Sequence, residues 1–435
     1  MQTRSSQREF MGHPLGLSVL FLSETWERFS FYGMRALLVY YMTKRLDIAQ
    51  ADASLIYGAY TAMVYFTPIF GGLLADRWLG KRRSVIIGGA TMALGHFMMV
   101  FEPLFYPALA VIAIGNGFFL PSLTSQIRGL YRDDDPRGKI AYNIYYAGVN
   151  LGAFVAPLVC GFLGERHGWH WGFAMAGIGM VTSLVIYLVG SSHLPPEPAR
   201  MEPASSRQPA AWAPHRRSLL FLMGVAAIVM VFRGAYEQVG NTIALWVDAD
   251  VNRQIGPGWS IPMAWFQALN PFSVFLLTPL LVARWDRLAR RGVETPLLYK
   301  MAFGAAVVSL SYLMLAAVTG WTEAHAAHAH WAWLAGWFVL MTLGELYILP
   351  TGLGLFGRMA PEGLRATCIA LWYFAGFFGN LFAGSLGTLW SKLPHDAFFV
   401  IIAGVASGAA MLLALVARRV GYVERRNPSV SISVH

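Results

Sequence analysis

Gly115-Asn116-Gly117-Phe118-Phe119-Leu120-Pro121 returns 229 residues later as Gly344-Glu345-Leu346-Tyr347-Ile348-Leu349-Pro350. Both copies sit deep inside long apolar runs. Asn150-Leu151 returns as Asn380-Leu381, Pro68 as Pro279, and Trp26-Glu27-Arg28 has a weaker echo in Tyr236-Glu237-Gln238. Each echo alone is slight, but four in the same order describe a chain built from two parallel halves. Twelve apolar runs fill those halves, at roughly 15–42, 54–75, 84–101, 106–128, 139–163, 171–190, 218–247, 260–283, 296–320, 331–357, 364–390 and 396–417. A spanning helix needs about 20 apolar residues, and backbone in lipid must be helical or closed into a barrel. Runs of this length are too long for barrel strands. The expected fold is therefore an all-α polytopic membrane protein of twelve transmembrane helices, numbered here 1 to 12 in that order.

Composition agrees. Of 435 residues, 56% are hydrophobic and only 13% are charged, about half the charged share of a soluble domain. Cys160 and Cys368 each lie inside an apolar run and give no disulfide framework. The net charge of +10 would suggest a nucleic-acid partner in a soluble chain, but topology explains it here. Of 33 Lys and Arg, 23 fall at the N-terminus, in the even-to-odd loops and at the C-terminus, and five fall in the opposite loops. That bias puts both termini in the cytoplasm, so no nucleic acid is expected. The first run does not read as a cleavable signal, because Glu24, Glu27 and Arg28 interrupt it. Residues 191–217 are rich in Pro, Ser and Ala and read as a cytoplasmic linker. The domains expected are a six-helix bundle over 1–190, that linker, and a second bundle over 218–435. A parallel six-plus-six repeat is the major facilitator arrangement, with the solute site at the midplane.

Glu24, Glu27, Arg28, Arg35, Arg233, Glu237 and Glu345 lie well inside the runs. Each charge costs roughly 2.5–3.5 kcal/mol at a helix centre, so they must face one another or a wet cavity. Pairing alone explains two or three; seven over helices 1, 7 and 10 favour a transport pathway. Glu24, Glu27 and Arg28 share one face of helix 1, which Tyr32 and Arg35 continue. One guanidinium cannot neutralise two carboxylates, so this set is a candidate proton carrier. The bland alternative is an ion cluster that locks helix 1.

Glu-Thr-Trp-Glu-Arg-Phe-Ser-Phe-Tyr-Gly, Glu24 to Gly33, resembles the ExxERFxYYG motif of the proton-dependent oligopeptide transporters. Gly71 to Arg83, GGLLADRWLGKRR, resembles the major facilitator loop motif in that family's form. Tyr236 to Gly240, Phe266 to Pro271, Glu345 with Pro350-Thr351-Gly352-Leu353, Met359-Ala360-Pro361, and Trp372 with Gly379-Asn380 resemble its later signatures. The resemblance runs over most of the helical chain and implies uptake of di- and tripeptides driven by protons. It assigns proton coupling to Glu24, Glu27, Arg28 and Glu237. It gives the peptide carboxylate to Arg28 and the amino group to Glu345. It lines the pocket with Tyr32, Tyr60, Asn270 and Trp372. Gly72, Asp76, Arg77, Gly80 and Arg82 would latch the cytoplasmic face.

The chain also departs from the family. Members usually carry a Lys before the helix 4 proline, where it pairs with the helix 1 glutamates and the peptide carboxylate; here Leu120 stands there. Leu349 precedes Pro350 where the family favours Ser, and two extra helices of many bacterial members are missing. Arg233, four residues before Glu237, either replaces the lost cation and joins the binding site or only neutralises Glu237. His325, His328 and His330 read as a solvated loop before a metal site, and His96 as a satisfied packing histidine. The reading is a proton-coupled importer of peptides or a similar small zwitterion. It needs no cofactor beyond the proton gradient and no metal, sits as a multi-pass protein in a bacterial inner membrane, and works as a monomer. The rivals are a divergent member moving an organic anion or modified amino acid, inward or outward, and a polytopic membrane enzyme, which would need a catalytic cluster at a membrane face.

Overall fold

The structure, a computed structural model, describes residues 9–132, 134–197, 212–293, 295–361 and 364–426. The central residues of the expected linker, 198–211, lie outside the described residues. Twelve long helices follow in order: helix 1 (Leu15–Lys44), helix 2 (Gln50–Leu74), helix 3 (Lys81–Met98), helix 4 (Phe105–Thr124), helix 5 (Arg137–His167), helix 6 (Trp169–Gly190), helix 7 (Trp212–Tyr236), helix 8 (Leu269–Arg290), helix 9 (Leu297–Ala324), helix 10 (Trp331–Met359), helix 11 (Arg365–Gly387) and helix 12 (His395–Arg426). Ten described segments are long and apolar enough to cross a membrane. Helices 1 and 3 fall short, the first through its buried charges and the second through Lys81-Arg82-Arg83 and its glycines.

Two runs differ from their expected outlines. Helix 7 stops at Tyr236, tightens into a 3-10 turn over Glu237–Gly240 and resumes as a short helix, Thr242–Ala249. Side chains take the hydrogen bonds that the break leaves open, as lipid requires. Tyr312 donates to the Ala235 carbonyl at 2.8 Å and Gln238 Nε2 to Gly234 O at 3.0 Å, and the same Nε2 ties the turn to Ala383 O of helix 11 at 2.9 Å. In the eighth run, residues 263–268 form a 3-10 turn and the α-helix starts only at Leu269.

The chain divides into two compact units. The first holds helix 1 as far as Tyr41 and the chain from Met63 through helix 6; the second holds Met42–Ala62 and the chain from helix 7 onward. The outer part of helix 2 therefore groups with the later helices. There Gln50 Nε2 donates to Gly387 O at 3.0 Å and Ser54 Oγ donates to Asn241 Oδ1 at 2.8 Å, while Lys44, the last residue of helix 1, pairs with Asp248 at 2.7 Å. Gly58 meets Gly384 backbone to backbone, and a Cβ on Gly58 would lie 2.6 Å from Gly384 Cα.

The repeat has a packing meaning inside each unit. A Cβ on Gly115 of helix 4 would lie 2.7 Å from Gly88 O of helix 3, and one on Gly88 would lie 2.7 Å from Gly115 O. In the second unit Gly344 and Gly304 repeat this reciprocal contact at 2.6 Å across helices 10 and 9. Small residues of this kind let helix backbones touch in lipid. Asn150 and Asn380 likewise repeat one bond, each donating to the carbonyl four residues before it, Tyr146 O and Gly376 O.

Candidate functional site: two buried charge sets

In the first unit, helix 1 carries Glu24 and Glu27, both fully buried, with Arg28 between them in space. Arg28 Nε donates to Glu24 Oε1 at 2.8 Å and lies 3.2 Å from Glu27 Oε2. Glu24 has a second donor, the hydroxyl of Tyr145 on helix 5. Neither oxygen of Glu27 sits in hydrogen-bond geometry with any described residue. Gly152 makes this arrangement possible. A Cβ there would collide with Thr25 O and come within 2.9 Å of Arg28 Cβ, so helix 5 lies flush against helix 1 only because residue 152 has no side chain. Nothing in the sequence singles out Tyr145. Within one helix the charge spacing is readable, but Tyr145 stands 121 residues from Glu24. A tyrosine in an apolar run otherwise reads as packing.

Tyr32 and Arg35 continue the helix 1 face, with Arg35 Cζ 6.0 Å from the Tyr32 ring centroid and Arg28 Cζ 6.0 Å from that of Phe31. Leu120 is half-buried on helix 4, a helix without any Lys or Arg.

In the second unit, Arg233 and Glu237 are buried one turn apart, with Nη1 to Oε1 at 2.9 Å. The helix 7 break begins at Glu237. Gly379 clears room for the guanidinium stem, since a Cβ there would sit 2.5 Å from Arg233 Cβ. Glu345 on helix 10 accepts from Asn270 Nδ2 at 2.7 Å, and Asn270 is steadied by Thr342 at 3.0 Å. Tyr236 also bonds the Glu345 carboxylate, and Arg233 and Glu237 lie within its electrostatic reach. Helices 7, 8 and 10 thus gather Tyr236, Asn270, Arg233, Glu237 and Glu345 in one unit. Trp372 on helix 11 is buried 5.3 Å from Phe356, and its ring lies on Gly352, where a Cβ would be 2.5 Å from Cζ3. Tyr60 is buried on the outer part of helix 2.

The loop motif joins helices 2 and 3. Helix 2 ends in a π-turn, Ala75–Leu79, closed by Gly80 N donating to Ala75 O at 2.8 Å. Gly80 has φ of +79°, which favours glycine. Gly72 faces Pro121, while Asp76 and Arg77 are exposed. Arg82 donates through Nη2 to Leu194 O and Pro195 O at 3.0 Å, and its backbone N–H donates to Glu197 Oε1 at 2.7 Å. Glu197, at the head of the expected linker, thereby caps the start of helix 3. Nearby, Arg137 holds Glu9 at 3.0 Å, Gly12 O at 2.9 Å and Asp135 at 2.9 Å. The bond from Arg137 holds the Asp135 carboxyl below the usual carboxylate range, and burial pushes the Tyr131 hydroxyl up to about 12.

Among the described residues no group of three His, Cys, Asp or Glu could hold a metal ion. His330 caps helix 10 by accepting from Ala332 N at 3.2 Å, and His325 stacks on Trp321 with ring centroids 4.6 Å apart. His96 is fully buried, but neither ring nitrogen finds a partner among the described residues, so the histidine packs without being satisfied.

The family model of PTR2, the POT family, matches residues 82–213 and 204–402. The chain is 30% identical to the peptide transporter YePEPT of Yersinia enterocolitica, over 89% of this chain and 90% of that protein. It is 28% identical to a di-/tripeptide transporter of Lactococcus lactis subsp. cremoris, over 94% of this chain and 96% of that one. A solved POT family transporter in complex with 5-aminolevulinic acid matches with a TM-score of 0.85 at 25% identity, covering 95% of this chain and 98% of that one.

Proposed function

The chain belongs to the POT family of membrane transporters, and on that premise we propose that it imports di- and tripeptides, or a similarly small zwitterion, together with protons by alternating access. It is a multi-pass membrane transporter and not an enzyme. One observation carries the coupling: Glu24 and Glu27 are fully buried beside the single cation Arg28. With both carboxylates ionised the set carries one uncompensated negative charge. Burying such a charge is costly, so a proton that joins and leaves the set is the natural counter-charge.

In this reading Arg28 takes the solute carboxylate and Glu345, steadied by Asn270, takes the amino group. Tyr32, Tyr60 and Trp372 contribute apolar and hydroxyl surface, and Glu237 is a second protonatable group whose charge Arg233 balances. Gly72, Asp76, Arg77, Gly80 and Arg82 serve the cytoplasmic closure, and one chain suffices for transport. Proteoliposome uptake of labelled dialanine under an inward proton gradient tests the proposal; uptake that ignores the gradient overturns it.

A second reading has its own support. Helix 4 supplies no cation, and Arg28 already serves two carboxylates. A relative of the same fold is known in complex with 5-aminolevulinic acid, an amino acid and not a peptide. Thermal-shift competition between dialanine and 5-aminolevulinic acid separates the two, since a bound ligand raises apparent stability by mass action.

A further inference from the structure

We propose that Tyr145 is a positioning residue for proton coupling: it pins Glu24 as the fixed anion of the helix 1 set and leaves Glu27 as the carboxylate that takes up and releases the proton. The proposal rests on the proton-coupled reading above and divides that set's labour. The two glutamates are equally buried, yet their surroundings differ. Glu24 receives a charge-assisted bond from Arg28 Nε at 2.8 Å and a second from the Tyr145 hydroxyl. Hydrogen bonds to the ionised form favour that form. Glu27 has Arg28 Nε at 3.2 Å but no hydrogen bond from any described residue. A buried ionised carboxylate without hydrogen bonds is costly, so a proton does most for Glu27.

Tyr145 is itself held. Thr124 Oγ1 on helix 4 lies 3.1 Å from the Tyr145 hydroxyl and 3.0 Å from Leu120 O. The phenolic hydrogen is thus turned to Glu24 while Thr124 bonds the phenol oxygen or its own helix. The charged and titratable groups acting within this set are Glu24 and Arg28 on Glu27, Tyr32 in addition on Arg28, and Glu24 and Arg28 on Tyr145. Helix 4 brings the Thr124 hydroxyl. When Glu27 takes a proton on a carboxyl oxygen it becomes neutral, and Arg28 belongs to Glu24 alone. When the proton leaves, Glu27 again shares Arg28. Tyr145 stays on Glu24 in both states, and its bond counts for more once Glu27 is ionised, because Glu24 then holds only part of Arg28.

The test is an infrared titration of the purified protein in lipid, reading the carbonyl stretch of protonated carboxyls against pH. E27Q is expected to remove one component of that band and E24Q to keep it. Y145F keeps the ring and removes one donor from Glu24. It is expected to move the Glu27 component's midpoint upward by no more than about one pH unit, because the lost bond weighs most on the state in which Glu27 is ionised and Glu24 holds only part of Arg28. T124V is expected to move it the same way by less. The pH profile of uptake should follow the same shift, whereas a packing role alone would lower uptake at every pH without moving the profile. A component lost in E24Q and kept in E27Q overturns the proposal, as does a Y145F midpoint equal to that of the wild type. The band needs no solute, so a wild-type protein that fails to take up dialanine refutes the transport reading and leaves this test intact.

Discussion

Arg233→Ala is the perturbation with the largest expected effect. Arg233 and Glu237 are 5% and 3% exposed and meet at 2.9 Å. Removing the arginine takes the paired cation from a buried carboxylate, at a typical cost of about 3–5 kcal/mol. At 1.4 kcal/mol per decade that is roughly a hundredfold to a few thousandfold loss in the ratio of folded to unfolded protein. Arg233→Ala/Glu237→Gln removes both charges of the pair and should recover most of the loss, short by about 1 kcal/mol for an imperfectly bonded amide. Thermal unfolding in detergent measures both, and dipeptide counterflow measures binding. Recovered stability without recovered affinity assigns Arg233 to the solute carboxylate. Recovered stability with wild-type affinity assigns it to Glu237 alone. A single variant that melts like the wild type, or a double variant no better than the single, refutes the reasoning.

Glu27→Gln should abolish gradient-driven uptake yet retain exchange, and concentrative uptake in proteoliposomes checks it. Glu345→Ala should erase the preference for a free amino group, so that N-acetylated and free dialanine compete equally. Gly352→Ala forces a methyl into the Trp372 ring. It should cost about 1–3 kcal/mol of stability through overpacking, with Trp372→Phe relieving part of it in a double-mutant melt. The Arg137 tie to Asp135 is present above the usual aspartate range, about 3.9, because folding lowers that carboxyl's proton affinity. Glu9–Phe10 pairs antiparallel with His13–Pro14, and the protection of its amides, exchange being corrected for its intrinsic pH dependence, should therefore be high near pH 5 and drop as the pH falls through the depressed Asp135 value.

Hydropathy makes the twelve helices legible because each must clothe its own backbone in apolar side chains. The helix 7 break is hidden from that signal. Residues 237–249 stay apolar on average while Tyr312, 77 residues away, supports the broken turn. The helix 1 set is legible because its spacing is local. Tyr145 and Glu197 are not, since each acts on a residue far along the chain, and Glu197 sits in a proline-rich stretch that reads as a tether. Gly352 and Gly379 are visible as motif letters, but only the close approach of Trp372 and Arg233 gives the letters a reason.

The outer part of helix 2 has a consequence for how the chain is made. Ser54 bonds Asn241, 187 residues later, and Gln50 bonds Gly387, 337 residues later. At roughly 5–20 residues per second, Ser54 waits on the order of 10–40 s after synthesis before its partner exists. Over that interval helix 2 is already in the translocon or the bilayer, where Gln50 reaches Ser54 but the long-range acceptors of both are not yet made. Biogenesis of this protein therefore has a stage, lasting until Asn241 is made for Ser54 and until Gly387 is made for Gln50, in which water, lipid headgroups or an insertion factor serve the hydrogens left over. A nascent chain arrested there is the form in which that borrowed partner can be trapped.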